Sequence, residues 1–357
     1  MEKNMNKIKI LAISCIILMF CTAIPPVKAA TSPIIIKVAI YNVSNDADDE
    51  GQDFDKSVTG GMKLALNNYQ FTKNGKTYKF VVTIMDYNDV INSLSYPTYK
   101  IFVAPGDNDY WEDQYNHPSS CATFRSKIRN FVSAGGGYVG TCGGASIACT
   151  KKVSTSPVDP SYKPPWLGSS FLLKMVDATA FNRIYHEQQY VWSGQYGIVQ
   201  FGHKCPEYGA GGIPVRSYIY PSAPFSVSGY RSIRYWGGPA FKNLGSGVQA
   251  WAYYVDEPSD IAPIHVNRRW WAPRATDPWV ETDIKSKYSI IAATYGNGKL
   301  VLFGQHPEVF TWEPKDANDY VWENYWHNKY KWYGDKLSNS YNYILIREAA
   351  RWTLGLL

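Results

Sequence analysis

Apolar residues fall in short, β-branched runs separated by stretches with helical spacing. Ile34 to Tyr41 (IIIKVAIY) is a nearly continuous apolar run, the pattern of a parallel strand buried on both faces. An acidic, glycine-containing loop (Asn45 to Asp55) follows, and Ser57 to Asn68 reads as a helix. Phe80 to Met85 (FVVTIM) predicts a second strand and Lys100 to Val103 a third, while Cys121 to Ala134 predicts a helix that leads into a strand ending at Val139. This repeated βα alternation predicts an α/β chain with a doubly wound, mostly parallel sheet, whose ligand site lies at the carboxyl ends of the strands.

After Lys152 the texture changes. Prolines stand at 157, 160, 164 and 165, and alternating stretches follow at Tyr190 to Phe201, Val215 to Tyr220 and Val248 to Tyr254, which are antiparallel-strand patterns. Residues 151–285 are therefore expected to be a strand-rich insertion, with the core sheet resuming at 286–310. Ser338 to Leu354 predicts a closing amphipathic helix with Tyr341, Ile344, Leu345, Ala349 and Trp352 on one face. No internal repeat is apparent.

Two places in this framework carry chemistry. The stretch Ala134 to Val139 runs into Gly140, Thr141, Cys142, Gly143 and Gly144, with a small-residue helical segment behind. That is the pattern of a nucleophile elbow, a sharp strand-to-helix turn that exposes one side chain and needs glycines where a Cβ would collide. The exposed side chain here is a thiol. A thiol attacks as thiolate, and a helix N-terminus near Gly143 would place unpaired NH groups beside it. Far along the chain, Lys299 to Gly304 (KLVLFG) reads as a buried strand followed by Gln305, His306, Pro307 and Glu308. His306 is the candidate base and Glu308 the group that orients it, giving a Cys142, His306, Glu308 triad.

With these motifs the sequence resembles the class I glutamine amidotransferase-like superfamily, and within it the biotin-protein ligase N-terminal domain family. The resemblance extends to Ile101–Asp107 (IFVAPGD), Tyr235–Leu244 (YWGGPAFKNL) and Ile290–Glu308, in the family's order over residues 35–310. It implies a flavodoxin-like sheet and acyl transfer through a cysteine nucleophile. It further implies backbone oxyanion donors at Gly143 and the Gly106 loop, and a substrate pocket shaped by Tyr235, Gly237 and Gly238. No segment resembles the ligase catalytic domain, so biotin transfer is not implied. Gly106 is followed by Asp107 and Asn108 where glutamine-hydrolysing relatives usually carry paired glycines.

Lys3, Lys7 and Lys9 precede an apolar run from Ile10 to Ile24, and Val27, Lys28, Ala29 form a small-residue cleavage site. Residues 1–29 therefore read as a secretory signal cut after Ala29, and an uncleaved anchor is the alternative. After cleavage, residues 30–355 are expected to form one amidotransferase-like α/β domain with an aromatic-rich end (311–357). The chain would be secreted or cell-surface, with no stable membrane span. Cleavage removes four Lys and one Glu, so the formal charge falls from +6 to +3. No Lys/Arg run exceeds two residues, and the pairs Lys151-Lys152 and Arg268-Arg269 read as solvated faces, which excludes a nucleic-acid surface.

Four cysteines remain: Cys121, Cys142, Cys149 and Cys205. With Cys142 as nucleophile, one of the other three stays unpaired. Cys149 is expected two turns along the same helix as Cys142, about 10 Å away and beyond disulfide reach. No Cys-x-x-Cys or His-x-x-x-His pair occurs, so neither a metal nor a cofactor is expected. Gly135 to Gly140 fits G-x-G-x-x-G, but no long helix opens there.

Two functions remain open. One is an exported cysteine-dependent amidohydrolase acting on a small or peptide-like amide. The alternative is a non-catalytic binding protein that holds a cell-surface glycan on Trp270-Trp271, Trp279, Trp312, Trp322, Trp326 and Trp332.

Overall fold

A computed structural model describes residues 32–43, 58–106, 109–154, 169–182, 199–200, 213–261, 264–266, 279–313, 320–324, 329–332 and 337–357. The expected leader (1–29), the acidic loop, Asp107, Asn108, Cys205 and Trp270, Trp271 and Trp326 lie outside them. Among the described residues no helix is long and apolar enough to cross a membrane.

Thirteen strands form one sheet. They are β1 (Ile34–Tyr41), β2 (Gln70–Lys73), β3 (Lys76–Met85), β4 (Ile101–Ala104), β5 (Gly137–Thr141), β6 (Cys149–Ser154), β7 (Val176–Asn182), β8 (Ile213–Ile219), β9 (Gly229–Tyr235), β10 (Ala240–Lys242), β11 (Gln249–Tyr254), β12 (Tyr288–Tyr295) and β13 (Gly298–Phe303). The centre runs β3-β1-β4-β5-β13 with every pairing parallel. Counted along the chain, the parallel strands stand in the order 2-1-3-4-5.

The margins are antiparallel. β2 pairs β3 at one edge, and β12, β11, β8 and β9 extend the sheet beyond β13. A branch carries β10, β7 and β6, in which β10 pairs antiparallel with β12 and β7 while β6 and β7 are parallel. The architecture is mixed α/β, and the 151–285 insertion supplies antiparallel strands to the same sheet.

Helices α1 (Val58–Leu66), α2 (Tyr87–Ser93), α3 (Asp109–Asn116), α4 (Cys121–Ser133), α5 (Cys142–Ala148) and α6 (Tyr343–Thr353) cover the parallel centre. Alternation along the strands divides the core. Ala39, Tyr41, Phe102 and Tyr138 pack with Phe124, Ile128 and Phe131 of α4. Val38, Ile40, Val103, Val139 and Val301 pack with Met62 and Leu66 of α1 and Leu345, Ile346 and Ala349 of α6. Helices on both faces explain why the parallel strands read as unbroken apolar runs.

Three expectations need correction. The strand expected at Phe80–Met85 is the far half of β3, which forms a hairpin with β2 through Asn74 (φ 51°) and Gly75 (φ 72°). An Asn-Gly pair between apolar flanks favours that turn because both positions accept positive φ. The buried stripe of α6 is centred on Tyr343, Ile346, Ala350 and Thr353 together with Leu345 and Ala349, whereas Ile344 and Trp352 sit at its edge. Finally, Cys149 is not in the elbow helix: α5 stops at Ala148 and Cys149 opens β6, buried and with a free thiol.

Candidate active site

β5 ends at Thr141 and α5 begins at Cys142, so no residue separates strand from helix. The turn is made by Cys142 itself, which holds φ at 44°. A non-glycine residue there is strained by about 1–3 kcal/mol, sustained only when the surroundings impose it. The glycines show what imposes it. A Cβ on Gly144 would lie 2.0 Å from the Ala104 carbonyl oxygen, and one on Gly140 would lie 2.7 Å from the Gly144 oxygen. Gly143 is buried in the first turn of α5. Helix α5 has only seven residues, so its end contributes less positive potential than a long helix would.

Gly106, at the carboxyl end of β4, faces the same point. A Cβ there would sit 2.4 Å from Cys142 Cβ and 2.5 Å from His306 Cε1, which bounds the separation of those two atoms at 4.9 Å. The thiol and the imidazole therefore converge in front of Gly106.

His306 reaches this position because the chain leaves β13 at Phe303 and crosses to β9. There the His306 backbone NH donates to the Arg234 carbonyl at 2.8 Å. Gln305 pins the crossing. Its Nε2 donates to the Val215 and Ile233 carbonyls at 2.9 and 3.2 Å, and its Oε1 accepts from Ser217 Oγ at 2.7 Å.

His306 and Glu308 are both buried. His306 Nδ1 lies 2.8 Å from Glu308 Oε1, which also accepts from Thr141 Oγ1 at 3.0 Å. Glu308 thus fixes the imidazole so that Nε2 is left for the thiol. Among the described residues that nitrogen meets no partner at hydrogen-bond geometry, and the Cys142 Sγ donates to the Trp236 carbonyl at 3.9 Å. Long thiol–imidazole geometry is common before substrate arrives. Burial alone would lower the basicity of His306, but the adjoining Cys142 and Glu308 outweigh it and raise its pKa to about 10. The site therefore favours an imidazolium between two acids.

The expected pocket residues divide. Gly237 holds φ at 71°, and a Cβ on Gly238 would lie 1.8 Å from the Gly304 oxygen and 3.2 Å from Cys142 Cα, so this turn packs directly beneath the elbow. Tyr235 is instead a core residue, fully buried with its ring 6.0 Å from that of Tyr254. Trp312 is likewise 1 % exposed, which removes it from any glycan-stacking surface.

The sequence reading missed Thr141, Trp236, Gln305 and Lys152. Lys152, read as half of a solvated pair, has its ammonium buried 4.0 Å over the Trp111 ring. Burial lowers its pKa to about 7, opposed by the nearby Cys142. Period-two alternation with the exposed Lys151 was the available signal. Cys121, Cys142 and Cys149 are free, and among the described residues no cluster of His, Cys, Asp or Glu is placed to hold a metal ion.

No family model matches the chain, and no curated protein matches it. Its solved-structure neighbours include glutamine amidotransferase-like proteins at low identity. PurLQS from Thermotoga maritima aligns at 11 % identity over 76 % of this chain and 88 % of its own, with a TM-score of 0.37. A protein described as ThuA-like, from Bacteroides uniformis, aligns at 11 % identity over 92 % of this chain and 95 % of its own, with a TM-score of 0.42. A β-galactosidase from Rahnella sp. R3 aligns at 12 % identity over 91 % of this chain with a TM-score of 0.43, and the chain spans 32 % of its length.

Proposed function

We propose that this chain is an exported, cysteine-dependent amidohydrolase of the class I glutamine amidotransferase-like type, on a flavodoxin-like sheet. The carrying observation is the convergence of Cys142, held at φ 44° on a strand–helix elbow, with His306, whose Nδ1 is anchored 2.8 Å from Glu308. The branch named for the biotin-protein ligase N-terminal domain remains our assignment on Tyr235 to Leu244.

In this reading His306 Nε2 already holds the proton taken from the thiol, as an imidazolium, and Cys142 Sγ attacks the carbonyl carbon of an amide as thiolate. The oxyanion is held by backbone NH groups of Gly143 and the Gly106 loop. Collapse breaks the C–N bond, and the amine leaves with the proton from His306. Water, deprotonated by His306, then cleaves the thioester and restores the thiol.

The test is iodoacetamide alkylation of Cys142 as a function of pH, in the native chain and in His306→Ala. We expect labelling faster than that of Cys121 below pH 8, slowed by about tenfold or more without His306. Rates that ignore His306 would remove the hydrolase reading.

A second reading, ligand binding on the same fold, is favoured by one surface feature. Tyr230, Tyr218, Tyr253 and Tyr288 stand in register across β9, β8, β11 and β12, and Tyr230 is 65 % exposed. Such a row offers ring faces and phenol hydroxyls to sugars. Ordinary Cys142 kinetics together with retention on polysaccharide would move the function to this face.

A further inference from the structure

From Ser232 to Ala240 the chain is buried with one exception, the half-buried Trp236. It follows Tyr235, the last residue of β9, and enters a turn held by close backbone contact. Gly237 takes φ 71°, and a Cβ on Gly238 would lie 1.8 Å from the Gly304 oxygen. The Pro239 carbonyl accepts from Tyr254 Oη at 2.9 Å, and its oxygen would lie 2.0 Å from a Cβ on Gly304. With backbone packed on backbone along the turn, the place of the indole is set before any ligand arrives.

That place is beside the thiol and its base. The Trp236 ring centre lies 6.1 Å from that of His306, the planes tilted by 56°, and the Trp236 carbonyl accepts from Cys142 Sγ at 3.9 Å. Part of the indole is seated on the buried cluster that includes Phe310 and Trp312, and the remainder is open beside a part-exposed Cys142. The polar side chains of the site are committed to one another, since Thr141 Oγ1 and His306 Nδ1 both meet Glu308 Oε1. The open indole surface is therefore what the cleft offers for recognition. Covering it with an apolar group removes it from water, and a flat ring adds offset or edge-to-face contact.

We propose that Trp236 is the specificity-determining wall of the cleft and selects an amide whose reacting carbonyl is flanked by a flat apolar ring. The ring lies against the indole while Cys142 Sγ reaches the carbonyl carbon. A small polar amide has nothing to lay on the indole and leaves that surface wet. Calling the ring-bearing molecule a substrate rests on the hydrolase reading above; the preference for a ring beside the thiol does not.

The test compares two alkylating reagents on the native chain. Iodoacetamide and N-benzyl-iodoacetamide form the same sulfur–carbon bond with Cys142 and release the same iodide, and they differ in the ring. Labelling of Cys142 is read by peptide mass spectrometry, with N-acetylcysteine in the same tube to correct for the intrinsic reactivity of each reagent. After correction the benzyl reagent is expected to label Cys142 about tenfold faster. Trp236→Ala should remove that preference, and Trp236→Phe, which keeps a ring, should retain most of it. If the alanine variant does not fold, protection of the native chain decides: N-benzylacetamide should slow iodoacetamide labelling of Cys142 at about a tenth of the concentration that acetamide needs. Equal corrected rates, equal protection, or a preference that survives Trp236→Ala would overturn the wall. Labelling that ignores His306, with the benzyl preference intact, would discard the hydrolase reading and leave the wall standing; labelling that needs His306 but shows no benzyl preference would do the reverse.

Discussion

His306 is held by two groups that both favour its protonated form, and this makes its charge part of the fold's stability. Its pKa rises from an ordinary 6.5 to about 10, with the Cys142 and Glu308 interactions exceeding the opposing burial. A group whose pKa is raised on folding contributes stability that is fully present below its unfolded value and lost as pH climbs through the folded one. Chemical denaturation is therefore expected to show the native chain losing stability, relative to His306→Gln, between about pH 6.5 and 10. Flat difference curves across that window would mean that the imidazole is neutral in the folded protein. At this scale the sequence was informative: Cys142 was marked by its flanking glycines, and His306 by its place after an apolar strand. Trp236 was not, because a tryptophan at the end of an alternating strand gives no sign that its ring will stand beside His306.

The elements bring the site together by close backbone approach and by one polar pin. Strand β13 lies next to β5, but His306 must reach β9, which is four strands from β13 in the sheet order. Gln305 makes that crossing specific, since its side chain answers the Val215 and Ile233 carbonyls and the Ser217 hydroxyl, whose oxygen also lies 2.8 Å from Ser289 Oγ. Gln305→Leu would take this partner from the two carbonyls, at a cost of about 1–3 kcal/mol for each group left unmet, while Ser217 would keep Ser289. Calorimetry should show a clear fall in melting temperature, and Cys142 alkylation should lose its dependence on His306 even where the protein stays folded. An unchanged alkylation profile would reduce Gln305 to a packing residue. Strand and helix identities were legible from periodicity. The β2–β3 hairpin is legible as well, from Asn74-Gly75. The crossing itself is a long-range hydrogen-bond arrangement and leaves no local pattern.

For the whole molecule, the proposed export leaves a testable trace. Ile34 opens β1 at 45 % exposure, and the cut proposed after Ala29 falls ahead of the strand. N-terminal sequencing of the exported protein should begin at Ala30, and that chain should unfold at the same temperature as the uncut one. A mature end inside β1, or a retained leader, would refute the cleavage. By itself, the sequence determined the parallel centre of the sheet, because strands buried on both faces must be apolar throughout, and it determined the elbow, because only glycines tolerate contacts of 2.0–2.7 Å. Only the tertiary structure decided which elements face the thiol. The antiparallel margin, the Gln305 pin, the buried Lys152 ammonium and the placing of Trp236 beside His306 all depend on contacts between residues distant in the chain, and local periodicity carries no information about such partners.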